Sequence, residues 1–326
     1  MRRREFIALI GCGAAMWPLV AQAQQAGKVR HIGILDTTTR ELNKDIGALF
    51  KGLQAFGYIE GQNLIVEYRS ADGRNERLPD LVSELLRLNL DLIVVRGTPE
   101  TIAIKNANSK IPVVMSAVVD PVGLGIVASL NHPGGNITGM SSTVTMLDAK
   151  RLEILKEIVP GLKRVAFSGD FRNPSVAMQW DEVQTAARSL ALEVERFDVR
   201  SSEDIGRAFE TALVDHVEAI RIGLDGTTRN NRKLIIELAS KYKLPAIYSA
   251  REFAIEGGLI AFAADYADLY LRAAAVVDKI LKGANPAEIP VEQPTKFDLV
   301  VNLRTAKSLG LTIPYVLVAR ADEVIE

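Results

Sequence analysis

Short apolar runs alternate with amphipathic segments along most of the chain. Leu92–Val95 is a continuous run of leucine and β-branched residues, and Val29–Leu35 is apolar apart from Arg30 and His31. Such runs are typical of strands buried on both faces. Between them, Asp45–Phe56 and Leu78–Leu88 carry apolar residues at helical spacing, and Gly57 stands where a helix C-cap is expected. This alternation of strand and helix predicts a doubly wound sheet of parallel strands.

The same rhythm continues towards the C-terminus. Further strands are predicted at Asn63–Tyr68, Val113–Val119, Arg164–Ser168, Glu193–Asp198, Ala219–Ile222, Ala246–Tyr248 and Phe297–Asn302. Further helices are predicted at Glu100–Asn106, Asp148–Ile158, Val176–Leu190, Asp204–Leu213, Asn231–Tyr242, Tyr266–Leu281 and Arg304–Leu309. Because the pattern restarts near residue 148, we expect a second α/β lobe of similar build.

The segment between the two patterns is rich in glycine and proline. Asp120-Pro121 ends the strand before it, because proline donates no ladder hydrogen bond and restricts the preceding residue. Val122–Leu130 is interpreted as a short apolar helix. Ile137–Met140 is expected to be the first extended crossing between the lobes, and Gly257–Phe262 the second. We interpret this segment as one wall of a binding cleft followed by a hinge strand.

These patterns divide the chain into two discontinuous lobes. The N-terminal lobe is predicted to hold residues 28–139 and about 263–292, and the C-terminal lobe residues 140–262 and about 293–326. Several extended segments would join the lobes as a hinge, an arrangement that suits closure around a ligand. The predicted fold class is therefore α/β, with two doubly wound lobes and a multi-strand hinge.

The composition excludes some classes of function but does not identify the function. The chain has 326 residues, 48% hydrophobic and 24% charged, with a formal net charge of −1. These values are ordinary for a soluble globular protein. No excess of basic residues points to nucleic acid, so we expect no nucleic-acid partner.

The N-terminus differs from the rest of the chain. Arg2–Arg4 is followed by the apolar run Phe6–Val20 and by Ala21–Ala23, which has the small-x-small form of a cleavage site. Residues 1–23 are thus predicted to be a cleaved export signal, and Arg3–Ile7 resembles the twin-arginine signal. The alternatives are an uncleaved membrane anchor and a lipoprotein anchored through Cys12. After cleavage, no cysteine would remain for a disulfide.

Catalytic and cofactor motifs are largely absent. Gly123–Ala128 matches the G-x-G-x-x-A dinucleotide pattern. However, Asp120-Pro121 separates it from its strand, and no acidic residue ends a strand at the following ribose-binding position. His31, His132 and His216 are scattered, and neither a nucleophile elbow nor a P-loop occurs. We therefore expect no cofactor, no metal and no enzymatic activity.

Polar and aromatic residues gather instead at the predicted ends of strands. In parallel sheets these ends share one edge, where ligands bind. Each residue could also be an ordinary cap or turn residue. The candidate ligand-binding residues are Asp36, Thr37, Thr38, Gly97, Thr98, Pro99, Asp120, Asp170, Asn173, Asp225, Tyr248 and Phe253.

Four blocks resemble one family. They are Arg3–Gln25, Ile111–Thr143 with its DPVG and PGGNITG motifs, Leu152–Pro160, and Pro294–Gly310 with the closing Leu317–Glu326. They are similar to ABC-transporter substrate-binding proteins of the group that includes the tryptophan-binding TrpX-like proteins. The resemblance covers essentially the whole chain. It implies a type I periplasmic binding-protein fold with three crossings between the lobes.

The resemblance also implies roles for the candidate residues. Gly97-Thr98 and Ala117–Asp120 would receive the charged head of the ligand, with helix N-termini after Thr98 and Asp120 facing a carboxylate. Asp225 would pair with an ammonium, although it could instead cap a helix or stabilise its own turn. Asp170–Asn173 would close from the other lobe. Tyr248 and Phe253 could stack on an aromatic ligand.

The predicted function is an exported receptor that passes a small-molecule solute to an ABC permease in the inner membrane. The ligand is expected to be a small amino acid or a related organic molecule, with an aromatic one favoured. We expect a periplasmic monomer. The alternative is a ligand-sensing module of a signalling system on the same fold. Permease and ATPase genes beside this gene, or a sensor kinase gene, would distinguish the two.

Overall fold

A computed structural model describes residues 28–142 and 147–326. The predicted export signal and Cys12 lie outside these residues. The strands are β1 Arg30–Asp36, β2 Leu64–Ser70, β3 Leu92–Val95, β4 Val113–Val119, β5 Ile137–Ser142, β6 Arg164–Gly169, β7 Glu193–Asp198, β8 Ala219–Ile222, β9 Ala246–Tyr248, β10 Ile260–Ala264, β11 Phe297–Asn302 and β12 Glu323–Ile325.

The α-helices of the described chain lie between these strands. They are α1 Ile46–Ala55, α2 Leu78–Leu86, α3 Thr98–Asn106, α4 Asp148–Ile158, α5 Pro174–Ser189, α6 Ser202–Val214, α7 Gly226–Asn230, α8 Arg232–Lys241, α9 Arg251–Ile255, α10 Tyr266–Leu281, α11 Leu303–Ser308 and α12 Tyr315–Ala319. None of them combines the length and the apolar character needed to span a bilayer.

Two sheets organise the fold. The first has the strand order β2-β1-β3-β4-β5, and its neighbouring strands all pair in parallel. The second has the order β12-β11-β10-β9-β8-β6-β7, in which only the β10–β11 pair is antiparallel. Both sheets are covered by helices, which explains why every residue of the central strands β3 and β8 is buried. The predicted α/β fold is confirmed.

Helix α10 does not pack on the sheet whose strand precedes it in the chain. It follows β10 of the second sheet, yet it packs against α1 and the first sheet, where Leu269, Ala273 and Val277 are fully buried. The approach is close, because a Cβ built on Gly52 would lie 2.6 Å from the Cβ of Ala274. Glycine at position 52 therefore lets the two helix backbones approach each other.

The glycine-rich segment after β4 differs from the prediction. Val122–Leu130 forms a series of turns rather than a helix. Asp120 has a φ of 37° and Gly125 a φ of 63°, and the Asp120 carboxylate accepts a hydrogen bond from the Gly123 N–H. These left-handed positions and the local side-chain bond interrupt a helix from the first turn. The predicted helix N-terminus after Asp120 is therefore wrong.

The two predicted crossings are sheet strands. Ile137–Met140 belongs to β5, which pairs with β4, and Gly257–Phe262 leads into β10, which lies between β9 and β11. The predicted lobe boundaries after residues 139 and 262 fall inside β5 and β10. The division into two lobes stays a prediction. Short elements such as α7, α9, α12 and β12 were missed, since three to five residues carry too little periodicity.

Candidate functional site

A small cavity lies where the carboxyl ends of strands from both sheets meet. Its volume is about 50 Å³, which corresponds to a few water molecules. The cavity and the two walls around it are called the cleft below. The first-sheet side of the cleft is formed by Thr37, Arg96, Gly97, Thr98, Pro99, Glu100, Ala117, Val119 and Ser142. The second-sheet side is formed by Asn173, Ser175, Gln179, Leu224, Asp225 and Gly226. Tyr266, the first residue of α10, completes the lining.

Arg96 supplies a positive charge to the first-sheet side. It follows β3 directly, and its Nε lies 3.8 Å from an Asp36 carboxylate oxygen. Burial alone would lower the pKa of Arg96, but the neighbouring Asp36, Tyr270 and Glu100 outweigh it and hold that pKa above its ordinary value. The guanidinium is therefore charged and fixed at the edge of the cavity.

Asp36 is held beneath the cavity by its own neighbours. One carboxylate oxygen accepts hydrogen bonds from the Thr38 N–H and hydroxyl, at 2.7 and 2.6 Å. The other accepts from Asn43 Nδ2 and from the Tyr68 hydroxyl, at 2.6 and 2.8 Å. Asp36 and Thr38 thus support Arg96 from below and do not line the cavity.

Helix α3 begins at the cavity. Gly97 is its extended N-cap residue, and the hydroxyl oxygen of Thr98 accepts a hydrogen bond from the Val119 N–H at 3.2 Å. Pro99 has no N–H and suits the first turn. The N–H groups of this turn have no partner inside the helix, so the positive end of the helix dipole faces the cavity.

Glu100 places an acid beside this positive end. Only 1% of the residue is exposed, and one of its carboxylate oxygens accepts a hydrogen bond from the Thr37 N–H at 2.8 Å. The other oxygen, Oε2, has no hydrogen-bond partner among the described residues. Burial, reinforced by Asp36, raises the pKa of Glu100 to about 6. An unpartnered buried carboxylate oxygen is costly without a donor.

Polar groups on the second-sheet side are already engaged with one another. Asn173 is the N-cap of α5, and its side-chain oxygen accepts from the N–H and hydroxyl of Ser175 at 3.0 and 2.9 Å. The side-chain oxygen of Gln179 accepts from Arg221 and from the Leu224 N–H, and its nitrogen donates to the Ser175 carbonyl. This side of the cleft is therefore internally satisfied.

The carboxylate of Asp225 is also hydrogen-bonded to neighbours on the second-sheet side. It is the N-cap of α7, where one oxygen accepts from the Thr228 N–H at 2.8 Å and the other from the Asp170 N–H at 3.1 Å. Burial raises its pKa to about 6, although these bonds oppose the shift. The structure thus gives Asp225 the capping role that was the alternative to ligand binding, and also places it in the cavity lining.

Two further polar side chains reach the cavity without a partner. The Tyr266 hydroxyl and the Ser142 hydroxyl are buried and make no hydrogen bond within the described residues. Burial raises the pKa of Tyr266 to about 12, so the hydroxyl is a neutral donor. The Arg229 guanidinium lies 5.3 Å from the centre of the Tyr266 ring. These hydroxyls, with Glu100, are the hydrogen-bonding groups offered to a ligand.

The two sides are in close contact beside the cavity, at Gly226 and Thr37. A Cβ on Gly226 would lie 2.8 Å from the Thr37 Cβ, and Gly226 also approaches the Gly73 backbone. Nearby, Asn230 Nδ2 donates to the Thr37 carbonyl at 3.3 Å. The absence of a side chain at position 226 is thus what allows this approach.

The structure brings half of the sequence-predicted site residues together. Those that line the cavity are Thr37, Gly97, Thr98, Pro99, Asn173 and Asp225. Those that support it from outside the lining are Asp36, Thr38 and Asp170. Asp170 binds the Arg172 guanidinium and the Thr227 hydroxyl. Asp120 lies in a neighbouring cavity.

Tyr248 and Phe253 are core residues. Their rings stack with centroids 4.7 Å apart inside the hydrophobic cluster of the second sheet, and neither lines the cleft. The reason is that Phe253 lies in α9, a one-turn helix that folds back on β11, whereas a loop at the strand end was expected. Tyr266 is the aromatic residue that the fold places in the cleft instead.

Sequence reasoning missed several residues of the lining. They are Arg96, Glu100, Ser142, Ser175, Gln179, Leu224, Gly226 and Tyr266. Arg96 and Glu100 flank the predicted Gly97–Pro99 turn, which was a usable signal. Gln179 and Tyr266 lie on helices, and nothing in a single sequence relates them to strand ends. No group of three or more potential ligand side chains in residues 28–142 and 147–326 could hold a metal ion.

Comparison with known proteins identifies the class. Residues 36–325 match the sequence model of the family described as ABC transporter substrate binding protein. The chain therefore belongs to this family, and the resemblance noted in the sequence is confirmed. Proteins of the family bind small-molecule solutes outside the cytoplasm and deliver them to ABC permeases. They are not enzymes, as the sequence predicted.

Individual relatives are moderately similar. The tyrosine-binding protein of Clostridioides difficile (strain R20291) is 27% identical over 285 residues, which are 87% of this chain and 82% of the relative. The ABC domain from Streptococcus pneumoniae, solved in complex with L-Trp, has a TM-score of 0.83 at 28% identity and covers 91% of this chain and 99% of its own. A conserved domain protein from Vibrio cholerae has a TM-score of 0.85 at 27% identity, covering 91% and 100%.

Proposed function

We propose that this protein is the receptor of an ABC importer, that it binds a free amino acid in the cleft, and that an aromatic amino acid is the preferred ligand. The observation that carries the proposal is the pairing of opposite charges in one small cavity. Arg96 and the start of α3 offer a positive site, and Glu100 Oε2 with Asp225 offers a negative one. A zwitterion is the small solute that satisfies both.

The ligand carboxylate would lie against Arg96 and the first turn of α3. A guanidinium and free helix N–H groups are both strong partners for a carboxylate. The ammonium would lie between Glu100 and Asp225. Glu100 contributes the oxygen that has no partner, while Asp225 adds charge with oxygens that already accept two backbone bonds.

The aromatic preference rests on two supports. Tyr266 is the ring in the lining, and its edge or face can contact a ligand ring. Two relatives are named for tyrosine or solved with L-Trp. A cavity of about 50 Å³ is too small for such a ligand. We therefore propose that the two sides separate to admit the ligand and close over it, as two lobes on a hinge.

We propose further that residues 1–23 are removed on export and that the mature protein acts as a periplasmic monomer. The N-terminal basic and apolar segments and the Ala21–Ala23 site support the first statement. Intact mass of exported protein tests it, with Gln24 expected as the first residue. A lipid-modified Cys12 at the N-terminus would contradict it.

Matched ligands test the amino-acid assignment. L-tryptophan is compared by calorimetry with tryptamine, which lacks the carboxylate, and with indolepropionate, which lacks the ammonium. Each loss should weaken binding by about a hundredfold, since it leaves a buried charge on the protein unpaired. Protein purified without refolding is first examined by native mass spectrometry for retained solute. Binding of tryptamine or indolepropionate as tight as that of L-tryptophan would refute a zwitterion site.

A further inference from the structure

A second, larger cavity adjoins the cleft. Its volume is about 500 Å³. The two cavities share Ser142, and both are lined by the ends of β4 and β5 and by α5. Ser175 and Gln179 of α5 line the cleft, whereas other residues of the same helix line the larger cavity. The larger one is called the acidic side cavity below, and its lining is Asp120, Pro121, Val122, Leu130, Ser141, Ser142, Met178, Asp181, Glu182 and Gln293.

The charges of the acidic side cavity are all of one sign. Asp120, Asp181 and Glu182 contribute carboxylates, and its described lining contains no basic side chain. Arg151, outside the lining, acts on Glu182 by lowering its pKa, but its guanidinium binds Asp148. Burial and the nearby Asp148 raise the pKa of Glu182. The lining therefore carries negative charge that no side chain of the described lining balances.

Two buried hydroxyls give independent evidence of a ligand. Ser141 and Ser142 are only 2% and 4% exposed, and neither Oγ has a hydrogen-bond partner within the described residues. Both line the acidic side cavity, and Ser142 also lines the cleft. Unpartnered buried hydroxyls in a natural protein point to a partner that binds there.

The occupant is expected to be organic. The three carboxylates do not form a group that could hold a metal ion. Pro121, Val122, Leu130 and Met178 add apolar side chains to the same lining. A metal ion gains nothing from contact with apolar side chains. A carbon chain or ring that ends in a cationic nitrogen would contact the apolar side chains through its carbon atoms and the carboxylates through its nitrogen.

We propose that the acidic side cavity is a second subsite of the cleft, which takes an extension of the ligand ending in a positively charged nitrogen. The proposal rests on the proposed function, because the other end of the ligand would be the amino-acid head in the cleft. It makes Asp181 and Glu182 specificity-determining residues. The ligand passes Ser142, whose hydroxyl lies at the junction of the two cavities.

A series of phenylalanine derivatives tests the charge preference. Calorimetry compares para-aminomethyl-, para-methyl- and para-carboxy-L-phenylalanine, which differ only in the charge carried beyond the ring. The wild type should bind the cationic member about tenfold more tightly than the neutral one, and the anionic member least. The double variant Asp181→Asn/Glu182→Gln should reduce the cationic preference to less than about threefold and leave the affinity for the neutral member unchanged.

The control is a double variant of equal charge change. Glu210→Gln/Glu237→Gln removes two exposed carboxylates on α6 and α8, outside the lining of both cavities. It should keep the preference of the wild type. Equal affinities for the three derivatives in the wild type would overturn the subsite while leaving the amino-acid assignment intact. So would a preference that survives in Asp181→Asn/Glu182→Gln.

A probe without an amino-acid head separates the two proposals. If no phenylalanine derivative binds, the proposed function fails, and benzylamine then tests the side cavity alone against benzyl alcohol. Millimolar benzylamine should raise the melting temperature of the wild type more than benzyl alcohol does, and the Asp181→Asn/Glu182→Gln variant should show no difference. Equal shifts in the wild type would overturn the subsite.

Discussion

The two sides of the cleft differ in how their polar groups are engaged. On the first-sheet side, Glu100 Oε2 and the Ser142 hydroxyl are buried without a hydrogen-bond partner among the described residues, and Arg96 lies 3.8 Å from Asp36. On the second-sheet side, Gln179 and Asp225 each use their side-chain oxygens on neighbours of the same side. One side keeps buried polar groups without a partner in the described chain, and the polar groups of the other side are already hydrogen-bonded.

Because of this difference, the two sides are expected to contribute differently to ligand binding. Buried polar groups without a partner destabilise the unliganded protein, and a ligand that pairs with them removes this cost. The first-sheet side should therefore contribute most of the binding free energy. A saturated wall changes little when it approaches a ligand, so it should act mainly through shape and closure. Variants on the two sides should therefore separate into those that change affinity strongly and those that change it weakly.

The largest effect is expected for Glu100→Gln. The amide keeps an oxygen for the Thr37 N–H but loses the charge offered to an ammonium, so affinity for the amino acid should fall by about a hundredfold. The unliganded variant should be at least as stable as the wild type at pH 7, because an uncompensated buried charge is removed. Calorimetry and thermal melting measure both, with Glu210→Gln as the control. A loss of less than about threefold would mean that Glu100 is structural.

Gly226→Ala should come next. Its Cβ would meet Thr37 at 2.8 Å, so it opposes the contact between the two sides and should weaken binding by about tenfold. Gly206→Ala on α6 is the matched control, because nothing lies within 4 Å of its Cβ. Scattering should show that the ligand decreases the radius of gyration of the wild type more than that of Gly226→Ala. Equal decreases would show that this contact does not limit closure.

Acid should weaken binding while stabilising the free protein. Burial, with a contribution from Asp36, raises the pKa of Glu100 to about 6. Affinity should therefore fall about tenfold between pH 7 and pH 5, as the carboxylate takes up a proton. For the unliganded protein the sign is opposite. A raised folded-state pKa contributes stability that is full below about 4.5 and lost as the pH rises through about 6, an effect of about 2 kcal/mol.

Titration of ligand affinity and of urea stability over this pH range tests both signs. Glu100→Gln serves as the reference, since it should lose the share of each dependence that belongs to Glu100. Burial also raises the pKa of Asp225 and of Asp45 to about 6, so these two residues should keep the remaining share. An affinity that rises on acidification would place the ammonium elsewhere.

The smallest effect is expected for Asp225→Asn, on the saturated side. Asparagine can keep the cap bond from the Thr228 N–H through its single side-chain oxygen, whereas its NH2 group cannot accept the bond from the Asp170 N–H, and neither Asp225 oxygen is free for a ligand. Affinity should fall by about fivefold or less, with little change in melting temperature. A loss as large as that of Glu100→Gln would reverse the comparison and make Asp225 the main partner of the ammonium.

By itself, the sequence determined the secondary structure of the central elements. Strands such as β3 and β8 and the long helix α10 were predicted with their observed bounds, because an apolar run or a helical period is a local property. The turn at Gly97–Pro99 was also found, and Asn173 and Asp225 were identified as candidate site residues, since each follows a predicted strand. The family followed from the motifs of Ile111–Thr143 and of the C-terminal segment.

Only the tertiary structure decided which residues share the cleft. Tyr248 stands at a strand end and is buried in the core, whereas Tyr266 begins a distant helix and reaches the ligand cavity. The turns of Val122–Leu130 follow from backbone angles at Asp120 and Gly125, which the apolar pattern does not report. One oxygen of Glu100 is held by the Thr37 N–H, which comes from the loop after β1 and is remote in the chain. Burial and unsatisfied hydrogen bonds arise from contacts between remote segments, and periodicity along one chain carries no information about them.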